Sequence, residues 1–252
     1  MSANYFRRSL MAAAILGFLV APFATPLAQP TDITVFAAAS LKNALDDAAK
    51  LYEQKTGDKV AISYAASSAL AKQIRYFLFS RPRLDGLPGQ GQLIETASRR
   101  ILLGNTLVLI APKDSTVSLT IAKDFPLLAA LGADGKLAMA NVDSVPAGKY
   151  GKAALSSLAV WVAVSPRVGQ AENVRAALTF VAKGETPLSI VYGTDAKSEP
   201  AVKVIGTFPE ASHPKINILT KLEARKFLDF LVSPEARPAF EAQGFAVLGG
   251  QS

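Results

Sequence analysis

The sequence predicts an α/β protein of two lobes around a shared cleft, and three observations carry that reading. Strand and helix signatures alternate along the chain, which implies mostly parallel sheets flanked by helices. Short runs near Leu107 to Pro112 and Gly206 to Pro209 read as two crossings between lobes, the pattern of a hinge. At 252 residues and 50% hydrophobic content, the chain also has enough apolar material for two lobes of about 100 residues each.

Taken in order, Ile33 to Ala38 is a strand of β-branched and small residues. Leu41, Ala44, Leu45, Ala48, Leu51 and Tyr52 then recur at helical spacing up to Lys55, and Gly57 ends that helix. Val60 to Tyr64 is the next strand, followed by Ser67, Ser68 and a short helix through Ile74. Leu107 to Ala111 is a buried strand stopped by Pro112, and Leu137 to Ala140 is another. Helices follow from Pro146 and over Glu172 to Lys183, then a strand over Leu188 to Tyr192 and an extended stretch over Val202 to Phe208. Leu222 to Leu231 and Pro234 to Gln243 complete the chain as two helices, with Gly244 capping the last.

The first residues stand apart. Arg7 and Arg8 precede an apolar run from Leu10 to Val20 and a Pro- and Ala-rich stretch, the pattern of a secretory signal peptide. The run is short for a membrane span, which needs about 20 residues. We place cleavage near Ala28, with Ala24 as the other option. Removing residues 1–28 takes away two arginines and no acid, so the formal charge falls from +7 to +5. Lysines and arginines alternate with acids along the helices rather than clustering, which argues against nucleic-acid binding. There is no cysteine, so neither disulfides nor thiolate metal sites are available.

Five residues stand where a strand hands over to a helix or where a helix begins. Ser40 follows the first strand and reads either as an ordinary helix N-cap or as a hydroxyl donor beside free helix amides. Ser67 repeats the arrangement after the next strand. Ala147 follows Pro146, which suits a first helical turn, and with Gly148 it offers unpaired amides. Val174 falls in the first turn of its helix, where its amide is free even if its side chain is buried core. Tyr192 ends its strand just before Gly193, as a cleft donor or as a core tyrosine with a satisfied hydroxyl.

The strings Ile33 to Leu41, Tyr64 to Ile74, Ile101 to Pro112, Val145 to Leu155, Ala171 to Leu178, Pro187 to Ala196, Phe208 to His213 and Phe227 to Phe245 together resemble the periplasmic molybdate-binding proteins of ABC transporters. The resemblance covers most of the chain after the leader. It implies a two-lobed type II periplasmic-binding-protein fold with the ligand cleft at the hinge. The leader would be residues 1–28, one lobe 29–107 with 208–252, and the other 108–207. It also implies a periplasmic monomer that captures molybdate or tungstate as a transported ligand, with no cofactor and no enzymatic activity, and delivers it to a membrane permease with its ATPase. The family's positions fall on Ser40, Ser67 and Tyr192 as hydroxyl donors and on Ala147 and Val174 as amide donors, and molybdenum would be held only as the oxyanion. Sulfate, phosphate or a small organic acid in the same fold is the nearest alternative.

Two stretches depart from the family. Arg75 to Gly91 carries two prolines and three glycines and abruptly loses the similarity, which Gln92 to Glu95 recover, as compensating frameshifts or a sequence error would produce. A strand expected between Ile218 and Leu222 looks missing, and Tyr76 to Phe79 is the remaining strand candidate nearby. An exported hydrolase is the alternative of another class. It finds little support, because His213 is the one histidine and no Gly-x-Ser-x-Gly elbow exists. Asp46 and Asp47 are neighbours on a helix and do not face each other.

Overall fold

A computed structural model describes residues 32–72, 100–220 and 225–251. The leader, the segment Arg75 to Gly91 and the strand expected at Tyr76 to Phe79 lie outside the described residues.

The chain begins with β1 (Asp32–Ala38), a 3₁₀ turn (Ala39–Leu41) and α1 (Lys42–Thr56). Gly57 ends α1 in the left-handed conformation at φ 78°, donating its amide to the Glu53 carbonyl at 2.9 Å. β2 (Lys59–Ala65) then pairs parallel with β1, from Asp32 opposite Lys59 to Ala38 opposite Ala65. The first residues of α2 are 67–72. Ala44, Leu45, Ala48, Ala49 and Tyr52 form the buried stripe of α1, as the helical spacing predicts.

β3 (Arg100–Gly104) is the middle of a three-stranded antiparallel sheet, between β10 (Ala246–Gln251) and β9 (Asn217–Thr220). β9 corrects the expectation of a missing strand. Four residues suffice for it, because antiparallel pairing needs only register, with Leu219 opposite Ile101 and Asn217 opposite Gly104. α8 (Arg225–Leu231) and α9 (Arg237–Ala242) lie between β9 and β10 in sequence. One buried cluster joins these parts: Ile33, Val35 and Ala37 of β1, the α1 stripe, Leu102 and Leu103 of β3, and Phe227, Phe230, Leu231, Phe240 and Phe245. Tyr52 meets Phe227 and Phe230 edge-on, at ring centroids of 5.1 and 5.4 Å.

The second sheet has five strands in the order β6-β5-β7-β4-β8. They are β4 (Leu107–Pro112), β5 (Leu137–Ala140), β6 (Val168–Ala171), β7 (Leu188–Tyr192) and β8 (Val202–Thr207). β5 runs parallel to β6 and β7, whereas β4 runs antiparallel to β7 and β8. The five-stranded sheet is therefore mixed rather than mostly parallel. The physical reason is that β4 enters this sheet and β8 leaves it side by side, which fixes β4 against the direction of the helix-connected strands. Flanking the sheet are α3 (Leu127–Ala130), α4 (Pro146–Ser157), α5 (Trp161–Val164), α6 (Val174–Ala182) and α7 (Gly193–Lys197). Its core includes Leu107 to Ala111, Leu137, Met139, Leu155, Val181, Leu188, Ile190 and Val191. β6 escaped sequence reading because it is an edge strand with Gly169 and an exposed Gln170, and so shows no apolar alternation.

Two short stretches join the sheets. Asn105 and Thr106 link β3 to β4, and Phe208 to Ile216 link β8 to β9. They meet where the Asn105 amide donates to the Ile216 carbonyl at 3.2 Å.

Candidate functional site

Ser40 sits in the middle of the 3₁₀ turn and is buried. Ala38 is the cap residue of that turn and Leu41 that of α1, and neither makes a side-chain cap bond. The N-cap reading of Ser40 is thus overturned: the chain tightens through a 3₁₀ turn before α1, so the serine falls inside the turn rather than at its mouth. Ser67 likewise is the first residue of α2, with Ala66 ahead of it accepting the Ala69 and Leu70 amides at 2.9 and 3.0 Å.

Pro146 is the first residue of α4, where its missing amide costs nothing and its fixed φ suits the helix. The amides of Ala147 and Gly148 come next, in the first turn, where no intrahelical acceptor exists. Gly148 has a reason of its own. A Cβ there would lie 2.2 Å from the Ala140 carbonyl oxygen and 2.3 Å from that of Asn141, so only glycine lets α4 press against the end of β5. Close helix–strand packing is therefore the structural role of Gly148.

Val174 is the first residue of α6. Asn173 caps this helix, its Oδ1 accepting from the Ala176 amide at 3.0 Å. The Val174 side chain is core, and its amide lies in the first turn ahead of the capped one. Tyr192, the last residue of β7, is 7% exposed. Burial holds its phenol above the ordinary value, with Tyr150 and Asp195 adding to the effect, so it stays a neutral O–H donor.

All five residues line one cavity of about 450 Å³. Ser40 and Ser67 come from the β1–β2 side, and Ala147, Val174 and Tyr192 from the five-stranded sheet. None of the described lining residues is charged, and histidine and cysteine are also absent among them. Among the described residues, then, no general base lines the cavity with the serines and no cluster of metal-ligating side chains occurs. His213 packs instead near Tyr150, at 6.3 Å between rings, with its Nδ1 2.9 Å from the Pro214 carbonyl oxygen. Apolar Val35, Leu45, Leu102 and Phe240 also line the cavity.

Three polar lining residues escaped sequence reading: Asn105, Tyr150 and Asn173. Asn173 had a signal, since asparagine directly before an apolar periodic run marks a helix start. Tyr150 stands three residues after Ala147, on the same helix face. Asn105 had none, because its role arises from the meeting of two distant segments.

Below the cavity wall, Asp195 in α7 is fully buried. Its Oδ1 accepts from Arg175 Nε at 2.5 Å and its Oδ2 from the Tyr192 amide at 3.4 Å. Burial pushes this carboxyl up to about 6, against the opposing pull of Arg175 and of the Tyr192 amide.

The family model of bacterial extracellular solute-binding proteins matches residues 33–246. The molybdate-binding protein ModA of Escherichia coli (strain K12) is 39% identical over 257 residues, covering 95% of this chain and 97% of that protein. The protein of the same name from Haemophilus influenzae (strain ATCC 51907 / DSM 11121 / KW20 / Rd) is 35% identical over 243 residues, covering 90% and 95%. Among solved structures, the Azotobacter vinelandii periplasmic molybdate-binding protein superposes with a TM-score of 0.64 at 22% identity, over 85% of this chain and 99% of that one, a likeness of fold. The chain belongs to the bacterial extracellular solute-binding protein family, with the type II periplasmic-binding fold and relatives named for molybdate binding.

Proposed function

We propose that this chain is an extracytoplasmic receptor that captures molybdate, and tungstate, and delivers it to an ABC transporter. The hydroxyls of Ser40, Ser67 and Tyr192 and the amides of Ala147 and Val174 hold the oxyanion, and no cofactor or catalysis is involved. One observation carries the reading: five donors from separate elements line a single cavity that has no charged side chain among its described lining residues.

The chemistry follows from the donors. A fully deprotonated dianion needs only donors, and buried N–H and O–H groups bind an anion more strongly than they would in water. A site whose amides and hydroxyls are turned to the ligand as donors, with no carboxylate to accept a proton, disfavours phosphate, which carries a proton near neutral pH, and a site without lysine or arginine avoids general attraction of anions. The relatives named for molybdate support molybdate over sulfate as cargo.

The lobes divide at residues 29–107 with 208–252 and at 108–207, and the pair Asn105–Thr106 with Phe208 to Ile216 serves as the hinge. Two of the buried clusters support this division, one drawn from Ile33 to Leu103 and Phe227 to Phe245 and the other chiefly from Leu107 to Val202. Residues 1–28 direct export to the periplasm, where the monomer meets a permease with its ATPase.

Isothermal titration of the purified chain with sodium molybdate, and with sulfate at equal concentration, tests the reading. Saturable binding of molybdate with sulfate at least about a hundredfold weaker is expected, a difference of about 2.7 kcal/mol. Equal affinities, or binding of neither, would refute it.

A further inference from the structure

The two donors contributed by α6 and β7 sit on different elements, and an ion pair with a buried carboxylate ties those elements together. Arg175 directly follows Val174, at the second position of α6. Its Nε donates to Oδ1 of Asp195, whose side chain is 0% exposed, while Oδ2 of the same carboxylate accepts from the amide of Tyr192. One carboxylate thus reaches the residue beside the Val174 amide and the backbone of the cavity tyrosine. Neither charge lines the cavity, so the pair stands behind the site and not in it.

We infer that Asp195 and Arg175 are positioning residues for the anion site, holding the start of α6 against the end of β7 so that the Val174 amide and the Tyr192 hydroxyl converge on one ligand. The inference rests on the oxyanion reading above and extends it to groups that touch no ligand. Convergence matters because donors preorganised to a fraction of an ångström bind an anion without reorganisation, whereas misplaced ones must be pulled in at a cost. Such a charge pair suits this task. The Arg175 Nε bond fixes one carboxylate oxygen while the Tyr192 amide holds the other, and breaking the pair leaves the buried Asp195 carboxylate without its cation. The side-chain bonds of Asn173 and Thr179 stay within α6, the first accepting from the Ala176 amide and the second donating to the Arg175 carbonyl, so they do not reach β7 as the Arg175–Asp195 pair does.

The test is molybdate titration of the purified chain and of Asp195→Asn, Arg175→Met, Arg175→Lys and the double variant Asp195→Asn/Arg175→Met, with thermal unfolding of each alongside. Expected are losses of about tenfold or more in affinity for each of Asp195→Asn and Arg175→Met, the scale seen when a group that orients a ligating residue is removed. The double variant should be no weaker than the weaker single, and Arg175→Lys, which keeps a cation, should recover much of the loss. Unchanged affinity in both singles, with only a lower unfolding midpoint, would overturn the inference and leave the pair a stability element. Should Asp195→Asn not fold, the contrast between Arg175→Lys and Arg175→Met decides. Should the unaltered chain bind neither molybdate nor tungstate, the oxyanion reading fails separately. The pair is then read in the ligand-free chain by the ¹³Cζ resonance of Tyr192, assigned with Tyr192→Phe. A shift of that resonance in Arg175→Met upholds the positioning role, and an unmoved one overturns it.

Discussion

Asn105 Nδ2 donates to Thr194 Oγ1 at 2.8 Å, joining the first crossing between the sheets to the residue two places beyond Tyr192. Thr194 is 2% exposed, so its hydroxyl is removed from water, while the Asn105 amide reaches the Ile216 carbonyl on the second crossing. Asn105 also lines the cavity. Replacing it with alanine leaves the Thr194 hydroxyl without this donor, and we expect a loss of about 1–3 kcal/mol in unfolding free energy by urea titration. A change under about 0.5 kcal/mol would show that the bond does not hold the crossing.

Ser40→Ala separates function from structure. A serine N-cap would lose about 1 kcal/mol on this change, but Ser40 makes no cap bond. The expected result is stability within about 0.5 kcal/mol of the unaltered chain and molybdate affinity reduced by about 1.5–3 kcal/mol, the range for a hydrogen bond to a charged group. Calorimetric unfolding and titration on the same preparation read both values.

Val174→Pro removes one donor with little cost to the helix. Proline suits the first helical position, and Asn173 ahead of it is extended at φ −153° and ψ 174°, a conformation that a following proline allows. We expect far-ultraviolet circular dichroism to be unchanged and molybdate affinity to fall at least about tenfold, because in the proposed site the deleted N–H donates to a charged oxygen. Retained affinity would remove Val174 from the ligand set.

Gly148→Ala places a methyl group against the carbonyl oxygens of Ala140 and Asn141, backbone atoms that cannot rotate away. Overpacking of this kind costs about 1–3 kcal/mol, and here it also lifts the start of α4 with the Ala147 amide. Both a lower unfolding midpoint and weaker molybdate binding are expected. An unchanged midpoint would mean that α4 lies farther from β5 than described.

Asp195 gives stability a pH dependence of definite sign. Its carboxyl is raised from 3.8 to about 6 by burial, so the native chain holds this proton more tightly than the unfolded chain. The stabilisation is fully present below about pH 4 and is lost as pH rises through 6, with a span of up to about 3 kcal/mol. The difference in unfolding free energy between the unaltered chain and Asp195→Asn should therefore fall between pH 4 and about 7 and level off above. A flat difference, or one that rises, would show that Arg175 keeps the carboxylate ionised throughout.

Much of this molecule was legible from sequence, for a physical reason that differs from element to element. The buried stripe of α1, the five buried residues of β7 and the proline start of α4 follow from periodicity and backbone chemistry, which act over a few residues. The five donor positions were legible for the same reason, since strand ends and helix starts are local features, although their roles came from the resemblance. Edge strands β6 and β9 were not, because partial burial leaves no apolar alternation in β6, and pairing with a distant β3 is what makes β9 a strand.

By itself, then, the sequence determined the alternation of elements, the uncharged character of the candidate donors and membership in the family. Tertiary structure alone decided that these donors line one cavity, that Ser40 lies within a turn rather than capping a helix, and that β4 runs against β7 and β8. It also chose the partners: Asn105 and Thr194 are 89 residues apart in sequence, and Arg175 and Asp195 are 20. Hydrogen bonds and ion pairs act over a few ångströms of space, and no local pattern in the chain names the residue that folding will bring within that reach.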